Sequence, residues 1–193
     1  GGPLIEYCVN EFVKTVATLS GGRISIEAFP AGTLGPGLKV SETVKNSVAQ
    51  MGHLWIGYDW GADPTAVLFG GYAGSPDTEK MLHWLYRGGG VELQRQWRQE
   101  KFDLVSMPLC ARTAEVFLHS RKPVKTLADL KGLKVRVYDQ NLAEFVSLVG
   151  GTPVPLSFPE VQQSLARGVV DCAITGPSSA NSAGWPEVTA YTL

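Results

Sequence analysis

The chain has little charge of one sign: no long acidic or basic run occurs, and the formal net charge is −1. A nucleic-acid binder normally shows a basic patch or stripe, so the charge balance argues against that class. No stretch approaches the roughly 20 consecutive apolar residues that a membrane-spanning helix needs, which argues against direct insertion into a bilayer. A basic start leading into a short apolar run is also missing, so any signal peptide is expected to have been removed already. The three cysteines, Cys8, Cys110 and Cys172, lie far apart with no C-x-x-C between them. That leaves neither a disulfide framework nor a thiolate metal cluster.

Catalytic signatures are equally sparse. His53, His83 and His119 are scattered and none sits in an H-E-x-x-H pattern. No G-x-S-x-G elbow, G-x-G-x-x-G or G-x-x-x-x-G-K-[ST] loop is present, and no spacing singles out a carboxylate pair. Gly88-Gly89-Gly90 precedes a helical pattern, but no strand leads into it. It reads as a hinge between two helices rather than a phosphate cradle. Nothing in the chain calls for a cofactor or a metal.

What is present describes an ordinary globular protein, with 44% hydrophobic and 18% charged residues among 193. That length suffices for one large domain or two small lobes. Helical spacing runs through Leu4, Cys8, Phe12, Val16 and Leu19 and stops at Gly21-Gly22. RISIEAF over 23–29 alternates like a strand, and PAGTLGPG over 30–37 is turn-rich. KVSETVKNSVAQM over 39–51 predicts a helix, and HLWIGYDW over 53–60 a short strand running into an aromatic loop. Two helices are predicted over 77–86 and 90–102, then strands over 102–109 and 116–121.

Beyond residue 121 the pattern sharpens. Thr126 and Asp129 form a T-x-x-D capping signature, and Leu133, Val135 and Val137 alternate along a strand. Helices are predicted over 141–151 and 157–168, the second announced by the capping pair Ser157 and Glu160 with Pro159 in its first turn. Strands are predicted over 152–158 and 168–175. Alternating strands and helices indicate an α/β protein with mainly parallel sheets, with a lobe boundary within 112–122. The chain opens in a helix and closes on EVTAYTL, as if another element were starting. An incomplete piece of a longer protein is the expectation.

Two features bear on function. Trp55, Tyr58 and Trp60 cluster where a strand gives way to a loop, with Tyr72 soon after. Core packing would claim at least Trp55, yet loops after strand C-termini are where open α/β sheets bind ligands. Arg136 sits between Val135 and Val137. As a structural residue it would lie on an edge strand or pair with Glu144, Glu160 or Asp139. As a functional one it would grip a carboxylate through two parallel hydrogen bonds, which the planar guanidinium is shaped to do. Pattern alone leaves both open.

The stretch from Lys122 to Thr175 resembles the DctP-type substrate-binding proteins of TRAP transporters. Lys122-Pro123-Val124, Asp129-Leu130-Lys131-Gly132, Lys134 and Arg136 follow that family's order, as do Gly151, Pro153-Val154, Phe158, Glu160-Val161, Leu165, Gly168-Val169-Val170 and Asp171. Residues 20–52 and the W-x-x-x-G-G-G-x-E-L stretch from Trp84 to Leu93 are similar too, so the resemblance covers nearly the whole chain.

The resemblance implies a two-lobed periplasmic-binding-protein-like α/β fold, with a first lobe over 1–115 and a partial second lobe over 116–193. It implies a periplasmic receptor, not an enzyme, that hands an organic acid to membrane permease subunits. Arg136 takes the place of the family's carboxylate-binding arginine. Tyr58 and Trp60 would line the pocket, Phe158 would pack on the ligand and Thr175 would hydrogen-bond it. Ile174 and Thr175 stand where relatives carry glutamate followed by asparagine or an aromatic residue, so the carboxylate that helps hold a metal in some relatives is missing. A second arginine has no clear counterpart near Val116 and Phe117, with Arg112 a candidate substitute. An aromatic wall with one assured cation points to a monocarboxylate. The alternative is an α/β enzyme acting on a small carboxylic acid, for which no catalytic constellation is visible.

Overall fold

Apolar spacing carries the helices. In a computed structural model describing residues 4–72, 74–111 and 115–193, with side chains from Tyr7 onward except those of Val116 and Phe117, the first periodic stretch winds into a π-helical segment, Leu4–Val9. Helix α1 (Asn10–Leu19) continues it and ends before Gly21 and Gly22, both at positive φ. There follow α2 (Val40–Lys45), α3 (Thr65–Gly70), α4 (Thr78–Arg87), α5 (Gly90–Phe102), α6 (Gln140–Leu148), α7 (Phe158–Ala166) and α8 (Pro177–Ser182). The strands are β1 (Val116–Ser120), β2 (Lys134–Val137), β3 (Thr152–Pro155), β4 (Cys172–Thr175) and β5 (Tyr191–Thr192). The chain packs as two units, Gly1–Leu54 with Thr78–Arg112 and Trp55–Asp77 with Thr113–Leu193.

The first unit is helical. Its glycine triplet makes the tight connection between α4 and α5: Gly89 sits at φ +80° as the N-cap of α5, and a Cβ on Gly88 or Gly90 would come within 2.9 Å of Trp84 atoms. Helix α5 buries Val91, Trp97 and Phe102 together with Arg98, whose Nη2 donates to Ser41 Oγ at 2.8 Å. The strands expected over 23–29 and 102–109 do not form; both segments are irregular beyond Arg23 and Asp103. Alternation can mark a strand, but only a hydrogen-bonding neighbour makes one. Neither segment has such a neighbour among the described residues. The helix expected over 39–51 stops at Lys45, because Asn46 caps it and Ser47 turns to φ +59°.

The second unit is α/β. Its five-stranded sheet has the order β3-β2-β4-β1-β5. β2 runs parallel to β3 and β4, whereas β1 is antiparallel to β4 and β5. The sheet is therefore mixed, with the parallel part confined to the two helix-connected repeats β2-α6-β3 and β3-α7-β4. Both sequence-read capping boxes form: Asp129 accepts from the Thr126 amide at 2.8 Å, and Glu160 from the Ser157 amide at 2.9 Å. The chain's closing residues pair as β5 with His119 and Ser120.

Alternation on β2 divides the core. Val135 and Val137 pack with Leu130, Val146, Cys172 and Ile174 on one face. On the other, Val161, Leu165, Val170, Ala173, Ala180 and Trp185 form a second cluster. Arg136 is opposite Ala173 and Val154 in register, so it shares the face of the second cluster.

The strand expected over 53–60 is instead a 3₁₀ turn, Ile56–Gly61. Gly57 explains the turn. A Cβ there would fall 2.2 Å from the Trp55 ring, so only glycine lets Trp55 fold across its own backbone.

Candidate functional site

Arg136 is 2% exposed, yet it sits among hydrophobic strands. Its Nε donates to Leu156 O at 3.0 Å and its Nη1 to Ile174 O at 3.2 Å. The guanidinium thus reaches to the C-terminal ends of β3 and β4, the end at which open parallel sheets present ligands. The three carboxylates that could neutralise it structurally have other work. Asp139 Oδ1 caps α6 by accepting from Leu142 N at 2.8 Å, Glu144 accepts from Gln140 Nε2 at 2.7 Å, and Glu160 closes the capping box with Ser157. Among the described residues Arg136 has no ion-pair partner. Two of its five N–H donors are used, on backbone carbonyls, which leaves a planar donor edge and a full positive charge. Asp139 acts on Arg136 electrostatically without forming a salt bridge to it, so the buried charge is only partly compensated, and its remaining donor edge suits an incoming anion.

Aromatic rings lead away from the guanidinium. Arg136 Cζ lies 4.9 Å from the centroid of the Tyr138 ring, which meets Trp55 edge-on at 4.9 Å; Trp55 in turn meets Tyr58 edge-on at 5.4 Å. Trp55 is fixed by its Nε1 donating to Gly70 O at 2.7 Å. The Tyr138 hydroxyl donates to Glu115. Burial, and then the nearby Glu115 carboxylate, push that phenol far above its ordinary titration range. Burial likewise raises the Asp139 carboxyl, against the pull of the Leu142 amide.

Of the residues read from sequence, Tyr58 joins this chain of rings, and Trp60 is half-buried beyond it without a ring contact to it. Phe158 opens α7 directly after its cap and stacks on Trp185, with centroids 5.5 Å apart at 29°. Thr175 ends β4, 1% exposed, two residues after Ala173 and so on the Arg136 face. Ile174 turns the other way into the apolar cluster of Val135 and Val137. Arg112 lies outside the described residues, as do the side chains of Val116 and Phe117.

Tyr138, His119 and Trp185 are neighbours that the sequence did not single out, while Trp55, expected in the core, joins the rings beside Arg136. The alternation placing Tyr138 two residues after Arg136 was a usable signal for the first. Nothing in the spacing marks the histidine. Among the described residues no group of three or more His, Cys, Asp or Glu could hold a metal ion, and no helix is long and apolar enough to cross a membrane.

Comparison with known proteins gives this geometry its context. The family described as DctP, bacterial extracellular solute-binding protein, family 7, matches residues 3–193. A monocarboxylate 2-oxoacid-binding periplasmic protein of Nostoc sp. is 30% identical over 161 residues, covering 83% of this chain and 43% of that protein. A TRAP periplasmic solute-binding protein of Sulfitobacter sp. with bound β-D-galacturonate superposes with a TM-score of 0.82 at 28% identity, covering 95% of this chain and 61% of that one. Another, from Pseudoalteromonas atlantica with bound sodium and pyruvate, superposes with a TM-score of 0.83 at 26% identity over 100% of this chain and 58% of its own. The chain thus spans about half the length of these relatives. All are solute-binding proteins, which overturns the α/β-enzyme alternative. The chain belongs to the DctP family of bacterial extracellular solute-binding proteins.

Proposed function

We propose that the protein is the periplasmic receptor of a TRAP transporter. It binds an organic acid through a salt bridge from Arg136 and passes it to the membrane permease subunits. The observation that carries this is the guanidinium of Arg136, buried at the C-terminal ends of parallel strands with two donors on carbonyls and no carboxylate partner among the described residues. Tyr58, Trp60, Phe158 and Thr175 shape the pocket around it, and the division into lobes over 1–115 and 116–193 belongs to the same reading. The rings beside Arg136 suit a single-headed acid such as a 2-oxoacid, in keeping with the pyruvate bound by one relative and the monocarboxylate 2-oxoacid binding of another. A metal-bridged ligand is not part of the proposal, because Ile174 offers no donor and packs in the core.

Isothermal titration with pyruvate, pyroglutamate and D-glucuronate tests it. Arg136→Ala should weaken the best binder by a factor of roughly 100 or more, since a buried charged pair loses about 3 kcal/mol or more when truncated. Unchanged affinity would sink the anchor role. Arg136→Lys should recover little, because an ammonium cannot offer the planar fork.

A further inference from the structure

One buried polar residue on the Arg136 face has no part in the reading above. In register across the sheet, Val154, Arg136, Ala173, His119 and Thr192 form a single row. His119 therefore stands two strands from Arg136, about 10 Å between backbones, with only the methyl of Ala173 between them. It is 4% exposed. Its Nε2 lies 3.1 Å from Thr175 O and its Nδ1 3.5 Å from Thr192 Oγ1. A carbonyl can only accept, so Nε2 carries the proton, which leaves Nδ1 to accept from the threonine hydroxyl.

The carbonyl that His119 holds adjoins the one that Arg136 holds. Successive carbonyls along a strand point to opposite neighbours. Accordingly Ile174 O meets Arg136 Nη1 on the β2 side of β4, and Thr175 O meets His119 Nε2 on the β1 side. The β1·β4 register also slips by one residue between Val116 and His119, a bulge at the level of Thr175. Bulges relax a ladder locally and re-aim side chains, and here the imidazole ties down the strand end where the ladder slips. The same ring meets Trp185 edge-on at 5.4 Å, and Trp185 stacks on Phe158. Trp185 is fully buried and its Nε1 has no hydrogen-bond partner among the described residues, so apolar packing and the ring contacts with His119 and Phe158 hold it.

We infer that His119 is a positioning residue for anion binding: its Nε2–H bond to the Thr175 carbonyl and its edge contact with Trp185 hold the end of β4 and the Phe158 wall in the geometry Arg136 needs. This rests on the receptor reading.

The test compares His119→Ala, His119→Gln, His119→Asn and Arg136→Ala by titration with pyruvate, pyroglutamate and D-glucuronate, alongside thermal melts. Glutamine places an amide nitrogen near the position of Nε2, whereas asparagine reaches only as far as Nδ1. His119→Ala and His119→Asn should bind roughly tenfold more weakly, and His119→Gln within about threefold of wild type, as the loss and recovery of one buried hydrogen bond require. Wild-type affinity in His119→Ala, or equal losses in the Gln and Asn variants at equal melting temperature, would overturn the inference. Should the variants fail to fold, ring ¹⁵N resonances of the intact protein decide. A proton on Nε2 and a shift upon adding the bound acid support the role; a proton on Nδ1, or no response, defeats it. Wild-type binding by Arg136→Ala, or no binding of any of the three acids, removes the receptor reading and this inference with it. Loss at Arg136 with indifference at His119 removes the inference alone.

Discussion

Arg136 shows how a residue can be legible in type but not in circumstance. Alternation put it opposite the core valines, and the resemblance carried by the surrounding motifs implied a ligand role for it. Only the tertiary structure shows that Asp139, Glu144 and Glu160 are engaged with an N-cap, a helix-surface amide and a capping box. Asp139 gives a prediction at this scale. Burial raises its carboxyl pKa in the folded state, so the stability it contributes is present at low pH and lost as pH rises through the folded value. Lowering the pH from neutral toward the unfolded aspartate value of about 3.9 should stabilise wild type relative to Asp139→Asn. Asparagine serves equally well as an N-cap, so the comparison isolates the titration. Urea melts at several pH values measure it, and a difference independent of pH would refute it.

At the scale of the element, local chemistry was the reliable guide. Ser157 with Glu160 and Thr126 with Asp129 were readable as caps because each box is written in four consecutive residues and needs no distant partner. Ser157→Ala should cost about 1 kcal/mol in chemical denaturation and loosen Phe158, the first residue of α7. A cost near zero would mean that the helix start is fixed by packing instead. The strands expected over 23–29, 53–60 and 102–109 were misjudged for the converse reason. Period-two patterning states which side chains share a face, while a ladder depends on a neighbour that pattern cannot supply. At Gly57 the missing side chain admits the Trp55 ring, and a turn replaces the strand.

For the whole molecule, the sheet order β3-β2-β4-β1-β5 brings Arg136, Thr175 and His119 together by inserting β4 between β2 and β1, which follow one another in the chain. It also sets the reactivity of the thiols. Cys172 is fully buried in β4, and burial pushes its thiol up to about 12, whereas Cys110 is exposed. A disulfide-exchange reagent at pH 8 should modify Cys110 promptly and reach Cys172 only at the rate of unfolding. Prompt reaction at Cys172 would mean that the β2-β4 core opens locally. Leu165→Ala, on the face shared by Arg136, should lower stability by about 2–5 kcal/mol, as read from denaturant midpoints.

By itself the sequence determined the α/β class, the capped helices, the helix-connected strands beyond residue 121 and the place of Arg136 on the face opposite Val135 and Val137. Each of these is encoded in a few neighbouring residues or in an ordered series of them. The mixed sheet, the ring chain from Tyr58 to Arg136 and the place of His119 opposite Ala173 were decided by tertiary structure. Register between strands depends on contacts between distant positions, from 18 apart for Arg136 with Val154 to 73 apart for His119 with Thr192, and no local pattern records them.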